Sequence, residues 1–320
     1  MKNSRYPLLF LKGVAMGAAD VVPGVSGGTI AFVTGIYEEL LHAIKSVDAR
    51  ALRMLLTGHF RAFWQKINGN FLFVLVAGIA VSIFSLARLM TWLLVHHPIP
   101  VWSFFFGLIV ASAWLVARDV SRWNASAIVA GVAGAVAAYL ITAVSPASTP
   151  DTWWFILLSG AIAICAMILP GISGSFILLL LGKYQFLMTA VGELNIGVIV
   201  LFVTGAVVGI ISFSHLLSWL LKSFRNVTIA VLTGFMVGSL NKIWPWKETV
   251  ETYLDSHGVE HPLREVNLLP GAFAEATGAD PQLAQALIFC LIGLLLIVAI
   301  ESLGKALKSK SKGNAPEFLE

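Results

Sequence analysis

Pro23-Gly24-Val25-Ser26-Gly27-Gly28-Thr29 and Pro170-Gly171-Ile172-Ser173-Gly174-Ser175 are two versions of one motif, set 147 positions apart. The likeness runs on at the same offset, so that Ser26 falls on Ser173, Gly35 on Gly182 and Tyr37 on Tyr184. Each stretch interrupts an apolar run, where Pro and Gly break a helix. Broken helix in lipid is tolerated only where the freed backbone is buried in protein or faces a wet cavity. Interrupted segments at matching places in two halves point to a transporter's binding site.

Composition supports a membrane setting. The 320 residues are 58% hydrophobic and 12% charged, against about 25% charged in soluble domains. Several apolar runs approach the roughly 20 residues needed to cross a bilayer. Nucleic-acid binding has no support, and no metal cluster, P-loop or Ser-His-Asp pattern stands out. Cys165 and Cys290 lie in apolar segments and read as packing residues. Lys12 interrupts the first apolar run, which argues against a cleaved signal peptide.

Taken in order, the chain predicts an all-α polytopic membrane protein built from inverted-topology repeats. The first repeat, 1–145, holds a broken hairpin at 8–40, a surface helix at 45–67 and three spans at about 71–95, 101–117 and 126–144. The second, 146–305, holds a hairpin at 153–188, spans at about 196–221, 228–244 and 284–304, and an outside loop at 245–283. A basic cytoplasmic tail follows at 306–320. The later spans also repeat: Gly78 matches Gly205, Trp92 matches Trp219 and Gly107 matches Gly234, each 127 positions apart.

Charge sets the expected orientation. The interval 41–70 carries Lys45, Arg50, Arg53, Arg61 and Lys66 against Asp48, whereas 245–283 carries seven acids and two bases. Basic loops stay cytoplasmic. All of them share one side only if each Pro-Gly segment enters and leaves by the same face. That predicts two re-entrant hairpins from opposite faces, six full spans and both termini in the cytoplasm. The rival, a single kinked span at each motif, puts the basic interval outside.

The stretch from Ala18-Ala19-Asp20 through Ile30, followed by Gly35-Ile36-Tyr37-Glu38, resembles the signature of the polyprenyl-phosphate transporter family, and the likeness covers most of the chain from about Lys12. The resemblance implies recycling of the C55 carrier undecaprenyl phosphate across the bacterial cytoplasmic membrane, without cofactor or enzymatic chemistry.

The residues suggest where a phosphate binds. A Gly-rich turn leaves backbone N–H groups free, and the following helix aims its positive end at the tip. The expected phosphate ligands are Ser26, Gly27, Gly28, Thr29, Ser173, Gly174 and Ser175, with Pro23, Gly24, Pro170 and Gly171 as hinges. The plainer alternative is that these residues only permit a tight turn and close helix contact. Arg88, in mid-span, is the expected cation, because an intramembrane charge marks a pathway or a structural pair. Asp20, Glu38 and His215 are candidates for ion pairing or for coupling to H+ or Na+. Lys183 is expected to snorkel to the outer interface. The functional alternatives are a carrier or channel for a small anion, and an integral-membrane polyprenyl-pyrophosphate phosphatase. The phosphatase lacks support because Gly27-Gly28 stand where a similar motif of such enzymes has Arg-Ser, removing a bidentate phosphate clamp.

Overall fold

The computed structural model describes residues 5–21, 25–143, 149–254 and 260–313, without the side chains of 5, 87, 88, 91, 253, 254, 260, 261, 263 and 303–313. The elements run α1 (Arg5–Val21), α2 (Gly27–Val33), α3 (Tyr37–Lys45), α4 (Ala49–Leu56), α5 (Phe60–Lys66), α6 (Gly69–His96), α7 (Pro98–Arg118), α8 (Ala125–Ala143), α9 (Trp153–Ile168), α10 (Gly174–Leu180), α11 (Tyr184–Gly192), α12 (Ile196–Ser223), α13 (Arg225–Ser239), β1 (Lys247–Leu254), β2 (Glu260–Asn267), α14 (Pro270–Thr277) and α15 (Leu283–Gly313).

Among the described residues, α6, α7, α8, α12 and α15 are each long and apolar enough to cross a membrane, so the protein is multi-pass. Their outer flanks present large apolar side chains such as Phe84, Val132, Val203 and Leu287. The sixth expected span, 228–244, falls on α13 and the residues after it. α13 has 15 residues, a rise of roughly 22 Å, and it lies deep in the core with Ile229, Ala230, Leu232 and Met236 buried. The chain is also not purely helical. The interval 245–283 contains an antiparallel β1–β2 hairpin and α14.

Small residues organise the packing. α1 packs on α6, α9 on α12, α7 on α15, and α13 on α8. A Cβ at Gly78 of α6 would meet the Phe10 carbonyl oxygen at 2.4 Å, and one at Gly205 of α12 the Leu157 oxygen at 1.9 Å. At Gly107 of α7 the Cys290 oxygen stands at 1.9 Å, and at Gly234 of α13 the Gly131 oxygen stands at 2.1 Å. In lipid, where apolar burial no longer drives helices together, such close backbone approach supplies the packing energy.

Both broken segments turn by the same device. α2 ends at Gly35 (φ +70°) and α10 at Gly182 (φ +63°). The amide of Gly35 donates to Phe32 O at 3.0 Å and that of Ile36 to Ala31 O at 3.0 Å. The amide of Gly182 donates to Leu179 O and that of Lys183 to Leu178 O, both at 2.9 Å. This double bond pattern is a Schellman end, which needs the left-handed residue that Gly supplies. After it α11 leaves α10 at 106°.

The expected surface helix at 45–67 is divided. Gly58, at φ +76°, separates α4 from α5. Asp48 caps α4, accepting from Ala51 N at 2.8 Å, and its carboxylate also binds Lys66 at the end of α5. Together these fold the two helices against each other. Leu52, Leu55, Leu56, Phe60 and Trp64 are exposed on them beside Arg50, Arg53 and Arg61, the composition of an interfacial amphipathic unit.

Candidate functional site

The two motifs meet. α9 ends at Leu169, where Pro170 stops the helix and leaves the carbonyls of its last turn without intrahelical donors. The first motif satisfies them. The Ser26 hydroxyl donates within reach of Met167 O (3.0 Å) and Leu169 O (3.2 Å), and the Tyr37 hydroxyl donates to Ile168 O at 3.1 Å. In return the Gly171 amide donates to Thr29 Oγ1 at 3.0 Å. Ser26, Thr29, Tyr37 and Ser173 are all buried. A Cβ at Gly28 would lie 2.4 Å from Ile168 O, so this junction needs bare backbone on both sides.

At the first tip the leading amides of α2 are already engaged. The Gly27 amide donates to Asp20 Oδ1 at 2.7 Å, and the Gly28 amide to the Ser26 hydroxyl oxygen at 3.0 Å. Asp20 on α1 thus stands where an incoming anion would compete for the Gly27 amide. Pro23 and Gly24 lie outside the described residues.

The second tip is more open. Gly171 has φ +88°, and a Cβ there would meet the Met236 backbone at 2.8 Å, so the tip is wedged against α13. Ser173 precedes α10 without a side-chain cap on its amides. Its hydroxyl lies 3.0 Å from that of Ser175, and Ser175 is exposed. A cavity of about 10 Å³ is bounded by Gly171, Ile172, Ser173 and Phe176, by Thr142 of α8, and by Lys242.

The other expected residues lie apart. Arg88 belongs to α6, with its side chain outside the described residues. Glu38 opens α3 and pairs with Arg225 of α13 at 2.7 Å, both side chains more than half exposed. His215 is exposed on α12, its Nδ1 2.8 Å from Ile211 O. Lys183 does not snorkel. It is 1% exposed, bound to Asp151 and to Thr149 O, with its ammonium 5.5 Å from the ring centres of both Phe155 and Phe186. Asp151 offers it a charge partner that membrane-depth reasoning did not consider.

Sequence reasoning passed over Lys242, Glu265 and the bonding role of Tyr37. The signal for Lys242 was visible. It is a lysine inside the apolar stretch 228–244, directly after the glycines of α13. A wider apolar groove of about 360 Å³ opens along α6 between Trp64, Ile67, Leu72, Phe73 and Val76.

Residues 16–261 match a family described as undecaprenyl phosphate translocase-like. Over 300 residues the chain is 49% identical to a protein of Vibrio cholerae serotype O1 named polyprenyl-phosphate transporter, covering 94% of this chain and 97% of that one. It is 32% identical over 254 residues to a Staphylococcus aureus protein of the same name, covering 73% of this chain and 85% of the relative. No solved structure matches it significantly.

Proposed function

The chain belongs to the undecaprenyl phosphate translocase-like family, and from that membership we propose that it carries undecaprenyl phosphate from the outer to the inner leaflet of the bacterial cytoplasmic membrane. It is a transporter and not an enzyme, in keeping with its relatives' names. The carrier so returned is reused in cell-envelope synthesis.

The physical need is set by charge. Moving a bare phosphate through hydrocarbon costs on the order of tens of kcal/mol by Born estimates. The polyprenyl tail can stay in lipid, so the protein has only to shield the headgroup. The observation that carries this reading is the junction of the two Pro-Gly tips, where backbone freed by Pro170 is bonded by Ser26, Thr29 and Tyr37. Buried irregular backbone at such a junction is the setting in which transporters hold ionic substrates.

In this reading the halves are inverted repeats, each with a re-entrant hairpin. Two features support it. The equivalent glycines Gly78 and Gly205 mark the equivalent pairs α1–α6 and α9–α12. Gly107 and Gly234 mark the exchanged pairs α7–α15 and α13–α8. The termini and the α4–α5 unit are cytoplasmic, and the β1–β2 hairpin is outside. The phosphate lies where the tips converge, with Ser26, Gly27, Gly28 and Thr29 on one side and Ser173, Gly174 and Ser175 on the other. Arg88 offers a planar fork suited to phosphate. Asp20 yields the Gly27 amide when substrate arrives. A gradient of H+ or Na+ drives net movement.

Purified protein in liposomes tests the proposal. Undecaprenyl phosphate should cross between leaflets, while chloride and inorganic phosphate fluxes stay at background. Anion flux without lipid movement would establish the small-anion carrier instead.

A further inference from the structure

A charged cluster lies just beyond the C-terminal end of α13. Lys242 Nζ is 3.0 Å from Glu265 Oε2 on β2 and 4.8 Å from the Phe176 ring centre. Lys247 Nζ is 3.7 Å from the same carboxylate oxygen, donates to Lys242 O at 2.6 Å, and sits 3.9 Å from the Trp102 ring centre. The side chains of Lys242, Lys247 and Glu265 are only 18%, 6% and 19% exposed. Among the described residues Glu265 is the carboxylate within 4 Å of either lysine. Two largely buried cations thus share one anion, and a buried charge in excess is costly unless another partner arrives.

Lys242 also reaches the second tip. It shares the wall of the small cavity with Gly171, Ile172, Ser173 and Thr142. At about 10 Å³ that cavity has room for one water at most, so a phosphate meets the Lys242 ammonium only where its present anion, the Glu265 carboxylate, gives way. We propose that Lys242 and Ser173 form the receiving site for the lipid's phosphate, and that Glu265 occupies the lysine as a stand-in anion until the phosphate displaces it.

The proposal rests on the reading of the chain as a polyprenyl-phosphate carrier and extends it to the residues that first meet the headgroup. A phosphate monoester carries about −1.5 to −2 charge near neutral pH, which matches two ammoniums better than a single carboxylate does. Displacement needs only the Glu265 side chain to swing. The strand itself is anchored by Asn267, which donates to Asn241 O at 2.7 Å. Loading then biases a two-state element by differential binding.

The test is the affinity of the purified full chain for undecaprenyl phosphate, with undecaprenol as the uncharged control. Lys242→Met keeps the stem of the side chain and leaves Lys247 paired one-to-one with Glu265, so it should fold. It should lose at least tenfold in affinity. Glu265→Gln removes the competitor and should gain affinity, again about tenfold. Either folded variant matching the wild type overturns the proposal while leaving the carrier reading intact. Wild-type protein that does not distinguish the phosphate from the alcohol overturns both. Where Glu265→Gln does not fold, Lys242→Met decides alone.

Discussion

The hydroxyl of Tyr37 donates to the carbonyl of Ile168 at 3.1 Å, joining residues 131 positions apart at the buried junction of the two broken segments. The bond gives a donor to a carbonyl that α9 cannot satisfy internally once Pro170 has ended it. Removing the hydroxyl while keeping the ring, whose centre lies 5.0 Å from that of the tilted Phe32 ring, isolates that contribution. Tyr37→Phe should cost about 1–3 kcal/mol, the penalty of a buried acceptor left unpaired. Thermal unfolding in detergent measures it, and an unchanged midpoint means that water or another donor replaces the hydroxyl.

The glycines of the first tip should rank by what stands in the way of a methyl group. At Gly28 the obstacle is the backbone oxygen of Ile168, at 2.4 Å, which cannot move without shifting α9. At Gly27 it is the Asp20 carboxylate at 2.5 Å, the end of a side chain that can rotate. Gly28→Ala should therefore destabilise more than Gly27→Ala, and Asp20→Ala should relieve the second but not the first. The reverse order in an unfolding series would mean that the tips are not packed in this register.

Gly171 combines two obstacles, a left-handed φ of +88° and the Met236 backbone at 2.8 Å. Gly171→Ala should be the most damaging alanine substitution in either motif. Its folded yield after detergent extraction should fall below that of Gly28→Ala.

The proposed inverted-repeat arrangement puts the α4–α5 unit and the β1–β2 region on opposite sides of the membrane, which labelling tests. Ala62 and Ala272 are both exposed. In a chain with Cys165 and Cys290 replaced by Ala, single cysteines at these positions should react with an impermeant thiol reagent from opposite sides of the membrane. Reaction from the same side would sink the inverted-repeat arrangement.

Lys247 makes stability pH-dependent. Burial outweighs its Glu265 partner and lowers its pKa from the usual 10.5 to about 8. Between those values the unfolded chain binds a proton that the folded chain does not, so stability rises with pH across that window. Below about pH 8 the penalty of burying the ammonium is present in full. The unfolding midpoint of the wild type should climb from pH 8 towards 10, and Lys247→Met should flatten the climb. Parallel curves for the two proteins would assign the pH dependence to another group.

The sequence alone determined that this is a multi-pass helical protein with two matched, broken segments, because hydropathy, Pro, Gly and a fixed offset are local properties. Gly35 and Gly182 end their helices in the same way because the left-handed turn depends on the residue itself. What the motif hydroxyls and amides bind was not local. Ser26, Thr29 and Tyr37 are bonded to residues 167–171, and the first amide of α2 to Asp20. The division of 45–67 at Gly58, the short α13, and the hairpin in 245–283 also depended on context, since packing against neighbours decides where a marginal helix stops. Lys183 and Lys242 show this most plainly. A membrane lysine read by itself belongs at the interface, but only the tertiary structure supplies the carboxylates Asp151 and Glu265 that let these two stay within the protein.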